Sequence, residues 1–497
     1  MGVVARQSIK ASIVNYIGLG VSLLSTLFIF PLDLKLYGLY GFIISTSIIL
    51  TALSSFGSGG VAVRYFPKYQ DAENGHGGLL KLSLLINCLG WVIFTALFFL
   101  FYPAIKQYTL QKNQDALPYL TYIIPLVFAI SLYGLFNNYL MNFHRVAMPS
   151  AITNSLKIAL PLLFLLCYFH TITIHQFFLL LCLFSFGQLL LIVLYTYQQG
   201  QLFLRRPILA LTDQQYKSML VYSFLSVFGG LASVIALQFD SIMVANLLGL
   251  EANGKYMLAV FMAASCYIPA TMILTAMLPV ISKHLNDNNL IELNKAYKNV
   301  SVAVLIPTLF LASGLFICFV PLRDLMVNSE KLNGVATALV FLMFARIVDG
   351  ATSINGYILS FSTYYKYDLV FLILLSVSNV YLNSKLIPLL NISGAAIATF
   401  ISVCLYNFAK SVFIYKKFNL HPLTSSLFIL IALSLILSAA LFYIPRTSFP
   451  VLDILIRGVL FSSIYLSGCY YLNISKEYNQ LLDHIFSMLK TKVLRFK

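Results

Sequence analysis

An arginine and an aspartate lie in the middle of a long apolar stretch. Arg346 and Asp349 are three residues apart in the segment 341–350, so they share one face of a helix. A charge at the centre of a bilayer costs roughly 2.5–3.5 kcal/mol, so it needs a partner, a wet cavity or a function. Two interpretations stay open. The two side chains form an ion pair that neutralises itself, or Asp349 orients an arginine that lines a cleft.

Lys157 is a second charge within an apolar stretch, and Asn154 precedes it by three residues on the same helix face. A long lysine side chain near a span end can reach the cytoplasmic interface. The polar Asn154 beside it favours a cavity instead. Both interpretations stay open for Lys157.

Asp240 ends a stripe of small residues. Ser226, Ser233 and Asp240 are spaced seven apart, with Gly230 on the same side. Small residues alone are typical of close helix packing. The added carboxylate indicates equally well a water-lined face or a site for a proton or cation.

Two further arginines lie near span ends. Arg64 follows a glycine-rich segment at a predicted cytoplasmic end, where it is either an ordinary anchor or a substrate contact. Arg457 lies near the outer end of the last span, and we expect it to snorkel to the interface.

The charged and polar residues described above lie in apolar stretches that are long enough to span a membrane, or at the ends of such stretches. The chain is 60% hydrophobic and 10% charged, with a mean hydropathy of +0.88, which is typical of polytopic α-helical membrane proteins. We predict fourteen spans, at 11–34, 40–63, 80–102, 118–140, 150–170, 174–198, 218–247, 254–282, 297–320, 334–360, 366–389, 392–415, 423–444 and 451–473. The connections are too short for a soluble catalytic domain. The seven cysteines are scattered singly, so no metal site or cofactor is expected.

Lysines and arginines are concentrated in alternate gaps between the spans. We place 21 of the 32 on the cytoplasmic side and eight outside, with Arg6 and Lys10 at one cytoplasmic end and the basic tail to Lys497 at the other. The cytoplasmic set includes Lys410, near the end of span 12. This asymmetry is the positive-inside rule. It predicts that both termini are cytoplasmic, and the net charge of +16 needs no nucleic-acid partner.

The chain contains an internal repeat. Residues 36–42 resemble residues 252–258 at an offset of 216, and residues 137–143 resemble residues 355–361 at an offset of 218. Two nearly equal offsets indicate duplicated six-helix lobes of parallel orientation, an arrangement typical of alternating-access transporters. We therefore predict a first lobe at 1–200, a second lobe at 201–420, and an added helix pair with a basic cytoplasmic tail at 421–497.

The intramembrane charges are not duplicated with the fold. At these offsets Lys157, Asp240 and Arg346 correspond to apolar residues of the other half. Residues needed only to build the fold should recur in both halves, so these charges favour a role in substrate handling. Cationic groups in this position suit a phosphate or pyrophosphate, which arginine can bind through two donors.

The motifs at 36–42 and 57–69, and their second-half counterparts at 239–249 and 254–256, resemble those of bacterial polysaccharide-export flippases of the Wzx type. That resemblance implies the multidrug/oligosaccharidyl-lipid/polysaccharide exporter superfamily, with two lobes in a V. Such flippases carry a polyprenyl-pyrophosphate-linked oligosaccharide, such as an O-antigen unit of lipopolysaccharide, across the bacterial inner membrane, with a polysaccharide polymerase as a partner.

By the same resemblance we expect specific roles for the polar residues within the spans. Arg64, Lys157 and Arg346 would receive the pyrophosphate or acidic sugars. Asp240 would couple transport to H⁺ or Na⁺, and the polar cavity would be completed by Asp349, Asn154 and Ser233.

Three alternatives remain. A drug/cation antiporter of the same superfamily should have twelve spans and an acidic cavity. A lipid II flippase typically has more basic residues in its first spans, and none occurs here between Lys10 and Lys35. A membrane-embedded glycosyltransferase or polymerase needs a sizeable outer loop, so we do not expect an enzyme.

Overall fold

The computed structural model describes residues 3–71, 75–143, 145–204, 213–480 and 482–483, and every regular element in them is helical. The helices are α1 (Val3–Leu24), α2 (Leu34–Ser54), α3 (Ser58–Arg64), α4 (Phe66–Tyr69), α5 (Leu79–Lys112), α6 (Ile123–Met141), α7 (Ala147–Tyr168), α8 (Ile174–Gln198), α9 (Asp213–Leu248), α10 (Leu250–Ser265), α11 (Ile268–Asn286), α12 (Leu290–Leu325), α13 (Val335–Thr352), α14 (Asn355–Phe361), α15 (Tyr365–Phe418), α16 (Ser425–Phe442) and α17 (Pro450–Tyr471). The predicted cytoplasmic residues Arg205, Arg206, Lys490, Lys492, Arg495 and Lys497 lie outside the described residues.

Thirteen helical stretches of the described chain are long and apolar enough to cross a membrane. One of them, α15, has 54 residues. A straight helix of that length would measure about 80 Å, whereas the apolar core of a bilayer is about 30 Å thick. The helix is broken at Asn391, with φ 54° and ψ −140°, into two sections that match predicted spans 366–389 and 392–415. The polytopic all-helical fold is confirmed, and the break accounts for a fourteenth span.

Three predicted spans are each divided into two helices: 40–63 into α2 and α3, 254–282 into α10 and α11, and 334–360 into α13 and α14. Each of these three spans contains a break that hydropathy does not indicate. Gly57 adopts a left-handed conformation with φ 68°, which glycine accepts without strain and which ends α2. At the third break Ser353 has φ 35°, and its N–H donates to the carbonyl of Asp349 at 2.8 Å.

The chain forms two compact units, Met1–Met257 and Leu258–Lys497. The first contains α1 to α9 with the start of α10, and the second contains the remaining helices. The three segments predicted from the repeat, 1–200, 201–420 and 421–497, stay a prediction.

In the first unit, the two copies of the repeated glycine motif touch each other. A Cβ on Gly38 would overlap the carbonyl of Leu250, and a Cβ on Gly254 would overlap the carbonyl of Leu34. The offset of 216 relates Gly38 to Gly254 and Leu34 to Leu250, so these two contacts are reciprocal. Asn253 reinforces the contact by donating from Nδ2 to the carbonyl of Gly38 at 2.8 Å. Glycine is needed at both positions because the backbones approach too closely for any side chain.

In the second unit, α12 packs against α11, α13, α16 and α17. A buried ion pair fixes the added helix pair: Arg457 Nε lies 3.0 Å from Asp453 Oδ1, one turn earlier on α17. The same guanidinium donates to the carbonyls of Leu441 (2.6 Å) and Ile444 (2.7 Å) at the end of α16. The expectation that Arg457 snorkels is wrong, because Asp453 and these two carbonyls at the end of α16 hold it inside the protein.

Replacing Arg457 with methionine should destabilise the protein by about 3–5 kcal/mol, because it leaves a buried carboxylate without its ion-pair partner and removes the side-chain donor to two carbonyls at the end of α16. Thermal unfolding in detergent measures this. The matched control is Arg446→Met, a change at an exposed arginine. The double variant Arg457→Met/Asp453→Leu should recover much of the lost stability. Equal stability of Arg457→Met and Arg446→Met would contradict the structural role.

Candidate functional site

Arg346 and Asp349 form the predicted ion pair on α13. Arg346 Nη1 lies 3.4 Å from Asp349 Oδ2, and the two side chains are 27% and 24% exposed. A guanidinium has five N–H donors, and this long contact uses one of them. Among the described residues no other hydrogen-bond partner of the Arg346 side chain is found. The ion pair is present as the spacing predicts, and most of the guanidinium's donors take no part in it.

Asn407 connects this ion pair to the break between α13 and α14. Its Nδ2 donates to Asp349 Oδ1 at 2.9 Å. Its Oδ1 accepts from Thr352 Oγ1 at 2.9 Å and from Asn355 Nδ2 at 3.0 Å, one residue on each side of the interruption at 353–354. Ion and substrate sites of transporters are typically built at such discontinuous helices.

A second ion pair near this site was missed from the sequence. Lys410 Nζ lies 2.6 Å from Asp368 Oδ1, and the lysine side chain is 2% exposed. The ammonium also donates to the hydroxyl of Tyr406, and Ser360 Oγ donates to Asp368 Oδ2 at 2.9 Å. Lys410 lies within α15, where the turn at Asn391 folds the helix back and brings Asp368 against it.

Lys157 is half-buried on α7, and no carboxylate of the described residues lies within ion-pair distance of it. Asn154 is buried and donates from Nδ2 to Asn15 Oδ1 on α1 at 2.7 Å. Gly18 leaves room for this amide, since a Cβ there would overlap Asn154 Oδ1. Asn154 therefore joins α1 to α7 one helical turn before Lys157.

Asp240 is buried on α9 and accepts a hydrogen bond from the Tyr256 hydroxyl at 2.9 Å. The next residue, Ser241, donates to Asn253 Oδ1 at 2.8 Å, and Asn253 in turn contacts Gly38. Asp240 thus belongs to a buried polar network between α9, α10 and α2. Ser233, one of the stripe residues, is half-buried and donates within its own helix, to the carbonyl of Gly229 at 2.9 Å.

Arg64 is exposed at the end of α3 and stacks on Tyr222 of α9, with its guanidinium carbon 4.3 Å from the ring centroid. The adjacent Tyr65 hydroxyl lies 3.2 Å from Ser218 Oγ on the same helix. Ser223 donates to the carbonyl of Phe56, at the break before α3. Arg64 therefore lies in a contact between α3 and α9.

An apolar cavity of about 210 Å³ opens between α12, α13 and α16. Met343, Phe344 and Ile347 of α13 line it, together with Phe316 of α12 and Leu435 of α16. Arg346 lies on the same helix, between Phe344 and Ile347. Arg346 itself is not a lining residue, because residues one and two positions apart on a helix face different directions. In the described part of the chain no group of three His, Cys, Asp or Glu side chains could hold a metal ion.

The membrane-spanning helices of the described chain define a multi-pass membrane protein. Residues 5–285, more than half of the chain, match the family of polysaccharide biosynthesis proteins, and the chain belongs to that family. No curated protein is significantly similar to it in sequence.

Solved structures with a similar fold are transporters. A lipid II flippase, MurJ, in an inward closed conformation is 16% identical over 95% of this chain and 100% of its own, with a TM-score of 0.68. An inward-facing multidrug resistance transporter of the MATE family, in the MOP superfamily, is 15% identical over 84% of this chain and 95% of its own, with a TM-score of 0.62. A MOP superfamily transporter from Pyrococcus furiosus has a TM-score of 0.58 at 15% identity over 84% of this chain and 95% of its own. These matches confirm the predicted fold.

Proposed function

We propose that this protein moves a polyprenyl-pyrophosphate-linked oligosaccharide, the repeat unit of a surface polysaccharide, from the inner to the outer leaflet of the bacterial cytoplasmic membrane. The observation that carries the proposal is membership of the polysaccharide biosynthesis family in a chain with the fold of membrane exporters. In this role both termini are cytoplasmic, as the distribution of lysine and arginine indicates.

Arg346 is the residue best placed to receive the pyrophosphate. It is partly exposed, it is held by a single contact to Asp349, and its remaining donors suit a bidentate interaction with phosphate oxygens. Lys157 supplies a second cationic group in the first unit. Arg64 contributes less directly, because its guanidinium is engaged by Tyr222.

The apolar cavity supports a lipid-linked substrate. Its lining residues Phe344 and Ile347 flank Arg346 in the sequence. We assign this cavity, between α12, α13 and α16, to the first part of the polyprenyl chain because its lining is almost entirely apolar. A free sugar phosphate would make no use of such a surface.

Transport against a gradient needs an energy source, and we assign it to coupling with H⁺ or Na⁺. Asp349 and Asp240 are the carboxylates suited to this role, because both are held in polar networks within the spans. A polysaccharide polymerase at the outer face would receive the product.

A lipid II-type flippase is the second candidate. The structural match to the lipid II flippase extends over its whole chain and 95% of this one, whereas the multidrug transporter matches 84% of this chain. A lipid II-type substrate would also offer a polyprenyl pyrophosphate to Arg346, so the site accommodates either lipid.

The test is the pool of polyprenyl-linked saccharides in a strain lacking the protein, compared with its parent and with a strain complemented by the wild-type gene. We expect a completed oligosaccharide-lipid to accumulate on the cytoplasmic side while surface polysaccharide is lost. Accumulation of a peptide-bearing lipid would select the lipid II candidate. An unchanged pool with new sensitivity to cationic toxins would select a drug antiporter, and an incomplete glycan would indicate an enzyme.

A further inference from the structure

We propose that Asn407 is a positioning residue for Arg346, acting through Asp349 and through the break between α13 and α14. The inference rests on the proposed function, since it assumes that Arg346 receives the pyrophosphate of the lipid. Asn407 lies on a different helix from Arg346, 61 positions later in the chain, and no feature of the sequence marks it.

The hydrogen bonds of Asn407 leave its amide group one orientation. Nδ2 faces an acceptor, Asp349 Oδ1, while Oδ1 faces two donors, Thr352 Oγ1 and Asn355 Nδ2. The side chain is also 3% exposed, so water does not substitute for these partners. One amide therefore fixes both the carboxylate that orients Arg346 and the two residues that flank the break.

The carboxylate of Asp349 needs both of its partners. Oδ1 is held by Asn407 at 2.9 Å, whereas Oδ2 has only the 3.4 Å contact to Arg346. Without Asn407, the carboxylate can rotate to take more of the guanidinium's donors. Those donors are then unavailable to an anionic ligand, and the guanidinium of Arg346 no longer has a fixed orientation.

A substitution of Asn407 leaves the other charged and titratable groups around Asp349 unchanged. The ammonium of Lys410 contacts Asp368 and Tyr406, so it does not compete with Arg346 for a direct contact with Asp349. The groups that interact electrostatically with Asp349 are Arg346 on α13, Lys410, Cys404 and Tyr406 on α15, and Tyr267 at the start of α11. Changing Asn407 alone therefore tests the amide without removing a native charge.

The experiment measures the affinity of the purified, full-length protein for inorganic pyrophosphate by calorimetry, in parallel with export in cells. Arg346→Gln should remove the binding. Asn407→Leu should weaken it about tenfold, the effect of one hydrogen bond to a charged group. Ser402→Ala is the matched control, because Ser402 is buried on the same helix and its hydroxyl has no hydrogen-bond partner in the described residues.

Asn407→Asp adds a measurement that a merely structural role would not change. Above about pH 7 the introduced carboxylate repels Asp349, and binding should fall relative to wild type. At lower pH the two carboxyls share a proton, which restores a donor to Asp349, so the ratio of variant to wild-type affinity should rise. Taking the ratio at each pH removes the titration of pyrophosphate itself.

The outcomes separate the two proposals. Loss of binding in Arg346→Gln, together with wild-type affinity at every pH in both Asn407 variants, would overturn the positioning role and leave the proposed function standing. Wild-type protein that does not bind pyrophosphate would overturn the positioning role as well. The proposed function fails on different data, an unchanged pool of polyprenyl-linked saccharides.

Discussion

Cells that carry Arg346→Gln should lose most export while keeping normal amounts of folded protein in the membrane. Glutamine is shorter than arginine but polar, and it removes the charge and most of the donors. A hydrogen bond to a charged group contributes about 1.5–3 kcal/mol, so the loss corresponds to roughly a tenfold to hundredfold fall in transport. Surface polysaccharide and the polyprenyl-linked pool together measure it.

Lys157→Gln is the natural comparison, since it removes a charge from a span of the other unit. Arg346→Lys should retain part of the activity, because lysine keeps the charge and loses the planar donor pair. Wild-type export by a well-expressed Arg346→Gln variant would remove this arginine from the mechanism, whatever the fate of Lys157.

A disulfide between Gly60→Cys and Ser226→Cys should arrest export in the oxidised protein, and reductant should restore it. A Cβ on Gly60 would lie 3.6 Å from Ser226 Cβ, within the range of about 3.5–4.5 Å found in disulfides. Gly60 is on α3, in the first predicted repeat, and Ser226 is on α9, which opens the second. If the substrate enters between the repeats from the cytoplasm, α3 and α9 must separate there.

Each single cysteine variant is the control for its own substitution, and the seven native cysteines are free. Labelling of free thiols shows whether the new bond has formed. Full export by a completely oxidised double variant would mean that the contact between α3 and α9 stays closed throughout transport. Arg64 and Tyr222 would then be a fixed structural pair.

Much of the fold follows from the sequence because lipid imposes one requirement on every span. Each must be apolar for about 20 residues, so hydropathy locates it. The spacing of Arg346 and Asp349 likewise predicts their pairing, since a helix brings residues three apart together. The same rule applies to Asp453 and Arg457, four apart on α17. The spacing of that pair indicates it in the sequence, but we did not predict it.

Other parts of the site depend on residues that only the tertiary fold brings together. Asp368 and Lys410 are 42 positions apart and meet because α15 turns at Asn391. The break at Ser353 contains neither glycine nor proline, the usual signals. It is held by Asn407 from another helix, through Thr352 and Asn355. Hydropathy carries no information about such long-range hydrogen bonds.

The reciprocal contact of Gly38 with Leu250 and of Gly254 with Leu34 also bears on how such a chain could arise. An interface in which each side offers the same residues to the other is isologous, the kind formed between two identical subunits. A shorter ancestor with one copy of the motif could have paired with itself through this glycine. Duplication and fusion would then have joined two such subunits, after which Arg346, Lys157 and Asp240 were free to arise in one half without their counterparts in the other.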